Sequence, residues 1–261
     1  MTLPRTLWLL WFQGWQGAPA IVRACRRSWE LHNPGWTVRA LCAADLPALL
    51  AMEELAPRLA GKHIEPEALS DIVRIALLAR YGGVWADATV LCVRPLEEWL
   101  PACLGSGFFG FARPKPDRLI ASWFLASATS HPLALAWYRS TLDYWERHTV
   151  RHDYFWFHFL FNELCACDES LRERWVRSAQ VSADLPHHYV PYNKLFAPLC
   201  AEDHLILAGA KTPVLKLTHK LAGTTIPAGS VLDYILGRFA PVNEAESQVP
   251  AGSSLATRRR P

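Results

Sequence analysis

The chain has 261 residues, of which 51% are hydrophobic and 20% charged, so it has enough apolar mass to bury a sizeable core. Its 27 basic and 24 acidic residues leave a net charge of +3, too nearly balanced to indicate a nucleic-acid partner. The seven cysteines include no C-x-x-C pair and lie mostly among apolar neighbours. We interpret them as reduced, buried thiols, which favours a cytoplasmic location.

The apolar run LWLLWF near the N-terminus is too short for a membrane helix and lacks the longer apolar region of a signal peptide. We therefore expect no membrane-spanning segment. Peripheral attachment to the inner face of a membrane stays open, because the sequence does not tell which of its many Trp and Arg side chains are exposed.

Apolar periodicity and turn residues predict an alternation of strands and helices. The predicted strands are Leu7–Phe12, Trp36–Leu41, Val84–Ala86, Gly107–Ala112, Leu119–Ala126 and Val214–Leu217. The predicted helices are Pro19–Leu31, Asp45–Leu59, Pro66–Tyr81, His131–His148, Tyr154–Cys167, Glu169–Ser178 and Ser230–Phe239. Residues between about 188 and 213 show no regular pattern. We expect one domain over residues 1–240 and a disordered tail, rich in Pro, Ala, Ser and Glu, over residues 241–261.

Strands separated by helices predict an α/β fold with a mainly parallel central sheet, because parallel strands need crossover connections. In open sheets of this kind ligands bind beyond the carboxyl ends of the strands. Asp87 follows the predicted strand Val84–Ala86 and occupies such a position. On its own it is either a turn residue that ends the strand or a ligand for a metal, a ribose or a sugar.

The helix before this strand carries two charged residues in an apolar setting. Asp71 and Arg74 lie three residues apart, so they share a helix face and can form an ion pair. The residues between and after them are almost all apolar, which predicts that the pair is at least partly buried. Buried charged side chains are kept only where they pair with an opposite charge or serve a function. The alternative is a surface ion pair without a function.

The run S-D-x-x-R-x-x-x-L-x-x-Y-G-G-V-W-x-D-A-T over residues 70–89 closely resembles the capsular polysaccharide synthesis protein family. That family is related to the DXD-type sugar-binding glycosyltransferases, which include yeast-type α-1,6-mannosyltransferases and the glucosylating clostridial toxins. The blocks LWLLWFQGWQGAPAIVRACRRSW, RLIASWFLASATSHPL, DYFWFHFLFNEL and PVLKLTHK resemble further parts of the family in the same order. The resemblance covers roughly residues 3–220.

The resemblance implies a GT-A-like fold that binds a nucleotide-diphosphate sugar and transfers the sugar, usually with retention, to a saccharide or lipid-linked saccharide acceptor. A UDP-sugar is slightly favoured over a GDP-sugar as donor. By the same resemblance, Asp71 and Arg74 hold hydroxyls of the donor sugar. Asp87 matches the first acid of the DXD element and contacts ribose or a metal, Mn²⁺ or Mg²⁺, that offsets the charge of the leaving diphosphate.

One position departs from the DXD pattern. Thr89 stands where the second acid is expected, and a hydroxyl is a poorer ligand for Mg²⁺ or Mn²⁺ than a carboxylate. The late segment KLTHK offers His219 as a metal ligand, with Lys216 and Lys220 as partners for phosphate oxygens. Without the resemblance, this segment is more typical of an alternating strand with solvated charges.

Several further residues are weaker candidates. Trp11 and Gln13 end the first strand, where the aromatic ring either stacks on a base or belongs to the core. Ser122 and Trp123 either line the pocket or are core residues. His158 lies in an aromatic helix and is more typical of a packed, hydrogen-bonded histidine.

Two other functions remain open on sequence grounds. One is a non-catalytic protein that binds a nucleotide sugar or glycan, which the loss of the second DXD acid at Thr89 favours. The other is a metal-dependent hydrolase built on Asp71 and Asp87, which is less favoured because no second group of His and Asp ligands accompanies them.

Overall fold

The computed structural model describes residues 2–190, 192–221 and 224–240. The predicted tail at 241–261 lies outside these residues, so the proposed division into one domain and a tail stays a prediction. Within the described ranges, no helix has both the length and the apolarity needed to cross a membrane.

The strands are β1 (Thr6–Leu10), β2 (Thr37–Leu41), β3 (Gly83–Ala86), β4 (Val90–Cys92), β5 (Phe108–Lys115), β6 (Arg118–Ser127) and β7 (Val214–Lys216). The helices are α1 (Ala20–His32), α2 (Leu46–Leu49), α3 (Met52–Leu59), α4 (Pro66–Tyr81), α5 (Leu100–Cys103), α6 (Pro132–Arg147), α7 (Trp156–Cys167), α8 (Glu169–Arg177), α9 (Ala201–Leu207) and α10 (Val231–Arg238).

The central sheet has five strands in the order β2-β1-β3-β6-β5. Strand β1 pairs in parallel with β2 and β3, whereas β6 is antiparallel to both β3 and β5. Strands β2, β1, β3 and β5 therefore run in one direction and β6 runs against them. This confirms the predicted α/β fold with a mainly parallel central sheet and added helices.

The side chains of each strand alternate between the two faces of the sheet, so core residues lie on both faces. Trp8 of β1 and Trp85 of β3, which are register partners, pack in one apolar cluster with α4. Leu7, Leu9 and Val84 belong to a second cluster on the opposite face. Because successive strand residues point to opposite faces, this near-continuous apolar sequence fills two layers.

Helix α4 has the predicted bounds, with Pro66 in its first turn and Gly82 as its C-terminal cap. Gly82 and Gly83 both have positive φ, at 67° and 92°, and so turn the chain directly into β3. A Cβ atom on Gly82 would lie 2.7 Å from the Ser127 carbonyl oxygen, and one on Gly83 would lie 2.5 Å from the Thr6 carbonyl oxygen. The Gly-Gly pair therefore allows β3 to enter between β1 and β6.

The predicted helix over Asp45–Leu59 is wrong in one respect, because the chain leaves the helical conformation at Leu50 and Ala51. Leu46 and Leu55 both pack into the cluster around α4. Nine positions apart on a continuous helix of about 3.6 residues per turn, they would point to opposite sides. The break lets both side chains reach one core.

A second, two-stranded sheet was not predicted in full. Strand β4 begins just after Thr89 and pairs antiparallel with β7, with Val90 opposite Lys216. Helix α9 was also missed, in the segment without a regular pattern. All seven cysteines are free thiols, but Cys167 and Cys200 are exposed, contrary to the expectation of buried thiols.

We expect the substitution Gly82→Ala to lower the free energy of unfolding by about 2 to 5 kcal/mol, as the sum of left-handed backbone strain and overlap with Ser127. Urea unfolding measures this change. Gly61→Ala is the matched control, because Gly61 also has positive φ but has open space around its Cβ position. It should cost only about 1 to 2 kcal/mol, and equal losses in the two variants would refute the role of close packing.

Candidate functional site

Asp87 is held in place by the backbone at the carboxyl end of β3. Its amide nitrogen donates to the Trp123 carbonyl oxygen of β6 at 2.8 Å, and its own carbonyl accepts from Val90 N at 2.8 Å. The first bond continues the pairing of β3 with β6, and the second closes the turn into β4. The carboxylate therefore projects from a fixed point at the edge of the sheet, where open α/β sheets bind ligands.

Arg74 joins the two acids predicted from the sequence. Its Nη1 donates to Asp71 Oδ1, and its Nη2 donates to Asp87 Oδ1 at 2.8 Å. The Arg74 side chain is only 4% exposed, and its guanidinium lies over the Trp85 ring, 5.2 Å from the ring centroid. A planar guanidinium presents its donors in a rigid fork, so one side chain fixes both carboxylates.

Two further donors reach Asp87. Trp85 Nε1 donates to Oδ1 at 3.0 Å, and Lys216 Nζ donates to Oδ2 at 3.2 Å. The same ammonium donates to Thr89 Oγ1 at 2.7 Å. Both carboxylate oxygens of Asp87 therefore accept hydrogen bonds from protein groups, and two of these donors carry a positive charge.

The two acids have different protonation behaviour. Burial raises the pKa of Asp71 to about 6, despite the Arg74 charge beside it. Burial also acts to raise the pKa of Asp87, but the charges of Lys216 and Arg74 outweigh it and hold that pKa below its ordinary value. Asp87 is thus ionised at neutral pH, whereas the carboxyl group of Asp71 titrates only about one pH unit below neutral pH.

The cluster lies at one side of a cavity of about 580 Å³. Nine of the predicted site residues line this cavity, namely Trp11, Gln13, Asp71, Arg74, Asp87, Thr89, Lys216, His219 and Lys220. Ser122 also lines it. Trp123 does not line it and is a core residue, only 6% exposed and stacked on Phe111 with 4.9 Å between ring centroids.

Trp11 and His219 meet at the side of the cavity formed after β1 and β7. Their rings are edge to face, with centroids 5.2 Å apart. Burial and the charges of Lys216 and Lys220 lower the pKa of His219, so its imidazole is neutral at neutral pH. The wall thus combines a partly buried indole, a neutral imidazole and two ammonium groups.

His158 differs from its predicted role as a hydrogen-bonded core histidine. It lines the cavity, and within the described part of the chain its buried Nδ1 has no hydrogen-bond partner. Burial, together with the Arg74 and Arg118 charges, lowers its pKa to about 3. A neutral imidazole with an unused nitrogen is therefore part of the cavity wall.

Sequence reasoning did not select Trp85, Glu67 or Tyr154, which also line the cavity. Trp85 precedes Asp87 by two residues, and residues two apart on a strand share a face. That spacing was the signal for Trp85. The position of Tyr154, in the loop before α7, depends on how α6 and α7 pack and has no local signal.

The donor set does not fit a divalent metal held by protein side chains. Among residues 2–190, 192–221 and 224–240, no group of three His, Cys, Asp or Glu side chains is placed to hold an ion. The oxygens of Asp87 and Thr89 that face Lys216 already contact its ammonium. Metal binding by Asp87 and His219, and a hydrolase that depends on such a metal, therefore have no support in this geometry.

Comparison with known proteins adds independent information. A family model described as capsular polysaccharide synthesis protein matches residues 2–235. The O-glycosyltransferase PaGT of Phomopsis amygdali is 24% identical over 159 residues, which cover 54% of this chain and 39% of PaGT. The glycosyltransferase afumC of Aspergillus fumigatus is 31% identical over 104 residues, which cover 36% of this chain and 26% of afumC. The chain thus spans well under half the length of either relative.

Two solved structures show weak similarity. The PaToxG glycosyltransferase has a TM-score of 0.45 at 11% identity, covering 81% of this chain and 89% of its own. The galactosyltransferase LgtC, solved in complex with donor and acceptor sugar analogues, has a TM-score of 0.40 at 13% identity. The match covers 92% of this chain and 98% of the LgtC chain. Neither score is high enough to transfer a property to this chain.

We expect Arg74→Met to destabilise the fold by about 3 to 5 kcal/mol at neutral pH, because it leaves two carboxylates without their shared partner. Without Arg74 the pKa of Asp71 rises further, so ionising Asp71 costs more stability as the pH increases. The loss should therefore shrink when the pH falls from about 7 to about 5. Urea unfolding at both pH values measures it.

The control is Arg172→Met, which removes an exposed ion pair with Glu169 and should cost less than about 1 kcal/mol at either pH. A cost for Arg74→Met as small as that of the control would contradict the buried bridge. A cost that does not change with pH would contradict the assignment of the titration to Asp71.

Proposed function

Because the chain belongs to the capsular polysaccharide synthesis protein family, we propose that it is a glycosyltransferase of GT-A-like fold. It transfers a sugar from a nucleotide-diphosphate sugar to a saccharide or lipid-linked saccharide acceptor during surface-polysaccharide assembly. The proposal includes retention at the anomeric carbon, UDP as the favoured nucleotide over GDP, and a cytoplasmic location, with peripheral attachment to the inner membrane face left open.

The observation that carries this proposal is the position of Asp87. The carboxylate follows a strand end, is held by Arg74 and Lys216, and faces a cavity of about 580 Å³. Cavities that hold small ligands and cofactors commonly measure about 300 to 1,000 Å³. A bulky, polar, negatively charged donor suits a cavity of this size whose lining includes the ammonium groups of Lys216 and Lys220 beside carboxylates.

The geometry suggests different roles for the two members of the Asp71–Arg74 pair. Both terminal nitrogens of Arg74 are taken up by carboxylates, and the side chain is almost fully buried. We therefore assign Arg74 a positioning role rather than contact with the donor. Asp71, of which Arg74 contacts only Oδ1, keeps Oδ2 for a hydroxyl of the donor sugar.

The remaining predicted residues divide between the two ends of the donor. Trp11 and Gln13 follow β1, which neighbours β3 in the sheet, so they lie at the same sheet edge as Asp87. We assign them to the base, with the indole of Trp11 as a stacking surface. Lys216 and Lys220 are assigned to the diphosphate, whose negative charge grows as the glycosidic bond breaks.

A second candidate is a protein that binds the donor without transferring its sugar. The contact of Lys216 with both Asp87 and Thr89 favours it, because this ammonium takes up the side chains that a DXD-type metal site would use. The two candidates differ in a single readout, which is whether nucleoside diphosphate is released.

We expect a UDP-sugar or a GDP-sugar to raise the melting temperature of the purified chain. A ligand at about 100 times its dissociation constant stabilises the folded state by about 2.7 kcal/mol. The bound donor is then incubated with a panel of mono- and oligosaccharide acceptors, and nucleoside diphosphate release is measured. Proton NMR of the product reports the anomeric configuration. Binding without release of diphosphate would favour the second candidate, and an absence of binding would refute both.

We expect Asp87→Asn to weaken donor binding about tenfold to a hundredfold and to abolish transfer, because the substitution removes the charge that Arg74 and Lys216 surround. Asp143→Asn is the control, since Asp143 is exposed and lies outside the cavity lining. Both variants should keep the far-UV circular dichroism spectrum of the wild type. Full activity in Asp87→Asn would remove Asp87 from the site.

The pKa of Asp71 predicts a pH dependence of transfer. Since this pKa is about 6, kcat/KM should fall as the pH drops below about 6, where the carboxyl group becomes protonated and accepts a hydrogen bond from a sugar hydroxyl less strongly. Asp87, whose pKa is lowered, stays ionised in this range. The inflection should vanish in Asp71→Asn, and a profile that Asp71→Asn leaves unchanged would assign the titration to another group.

A further inference from the structure

The position of Lys216 is set by backbone pairing. Its strand β7 pairs antiparallel with β4 so that Lys216 lies opposite Val90, the residue after Thr89. The Leu217 amide donates to the Thr89 carbonyl oxygen at 2.8 Å and continues this pairing. The Lys216 side chain is only 21% exposed. Its ammonium is therefore a cation held beside Asp87 and Thr89, unlike a lysine on a mobile surface loop.

The ammonium lies between the two side chains that the DXD pattern assigns to a metal. Its Nζ is 3.2 Å from Asp87 Oδ2 and 2.7 Å from Thr89 Oγ1. A divalent ion bound to the same two oxygens would lie within a few ångströms of a like charge in a partly buried site, where repulsion is weakly screened. The ammonium and the ion therefore compete for one place.

The overall charge of the cluster supports the same conclusion. Arg74 and Lys216 contribute two positive charges, and Asp71 and Asp87 contribute two negative charges when both are ionised. A carboxylate at position 89 would add a third negative charge beside the place of the diphosphate. The hydroxyl of Thr89 instead accepts a hydrogen bond from the ammonium without adding a negative charge beside it.

We propose that Lys216 takes the place of a metal ion at Asp87 and Thr89, so that the diphosphate of the donor is bound by a fixed ammonium and donor binding needs no divalent cation. The inference rests on the proposed function, because it concerns how the same site holds its donor. It also explains Thr89: the threonine is the neutral partner that an ammonium requires where a metal would require a second acid.

The chemical consequence concerns the leaving group. In the transfer, the bond between the anomeric carbon and the diphosphate oxygen breaks, and its electron pair goes to the diphosphate. The acceptor oxygen bonds to the anomeric carbon, and the proton of the acceptor hydroxyl passes to the diphosphate. The ammonium of Lys216 stabilises the negative charge that develops on the leaving diphosphate before that proton arrives.

The test uses calorimetric titration of the full chain with UDP and, separately, with GDP, in excess EDTA and in excess Mn²⁺. For the nucleotide that binds, the dissociation constants in EDTA and in Mn²⁺ should agree within about threefold, which corresponds to about 0.7 kcal/mol. In EDTA, Lys216→Gln should weaken binding about tenfold to a hundredfold, as expected when a charged hydrogen-bond donor is lost.

Two further variants keep the result interpretable. Lys216→Arg keeps the charge and should retain more of the binding than Lys216→Gln. Lys211→Gln removes an exposed lysine that pairs with Glu202, and it should bind the nucleotide like the wild type. Thermal unfolding of all the variants shows whether Lys216→Gln remains folded at the titration temperature.

Binding that disappears in EDTA and returns with Mn²⁺ would overturn the metal-free inference while leaving the proposed function intact. Undiminished binding by Lys216→Gln in EDTA would overturn it in the same way. An absence of binding to either nucleotide with or without Mn²⁺ would refute the proposed function itself.

Discussion

The burial of Arg74 between Asp71 and Asp87 is the constraint on which the rest of the site depends. A guanidinium that is 4% exposed has lost nearly all of its hydration, and removing a charge from water costs several kcal/mol unless the protein replaces the lost interactions. The two carboxylates and the face of the Trp85 ring supply that replacement. Helix α4 and the end of β3 must therefore keep a fixed mutual position, because a shift of either would leave a buried charge without its partner.

This requirement accounts for features that lie outside the cavity. The chain passes from α4 into β3 through two glycines in left-handed conformations, packed against the Ser127 and Thr6 carbonyl oxygens. A longer connection would have let the two elements move separately. The apolar cluster around Trp8, Trp85 and α4 excludes water from one side of the bridge. An electrostatic site made of charges fixed in this way is already arranged before a ligand arrives, which is the condition under which such charges lower a reaction barrier most.

A feature could be predicted where the residues that determine it lie close together in the sequence, and it was missed where they lie far apart. Helix α4 was predicted with its observed bounds because Pro66 and Gly82 are local signals. Asp71, Arg74 and Asp87 were placed together because one short run contains them all. The contact between Lys216 and Asp87 joins residues 129 positions apart. It depends on the pairing of β7, which was predicted as a strand, with β4, which was not, and strands of three residues are too short to indicate a partner. The break at Leu50 was missed for a related reason, since only the packing of Leu46 and Leu55 on one core reveals it.

The interpretation of Thr89 differs between the sequence and the structure for the same reason, because its partner Lys216 is distant in the sequence but adjacent in the fold. Beside the DXD pattern alone it looks like a lost metal ligand, but beside Lys216 it is the neutral acceptor that holds an ammonium in place. In the free protein Asp87 and Thr89 accept two hydrogen bonds from this ammonium. An ammonium has three N–H donors, so in the proposed complex the third reaches a diphosphate oxygen while Lys216 keeps its place beside both residues. Arg74 and Trp85 hold Asp87 Oδ1 at the same time. The proposed contact with the diphosphate therefore needs no rearrangement of the charges already fixed around Asp87.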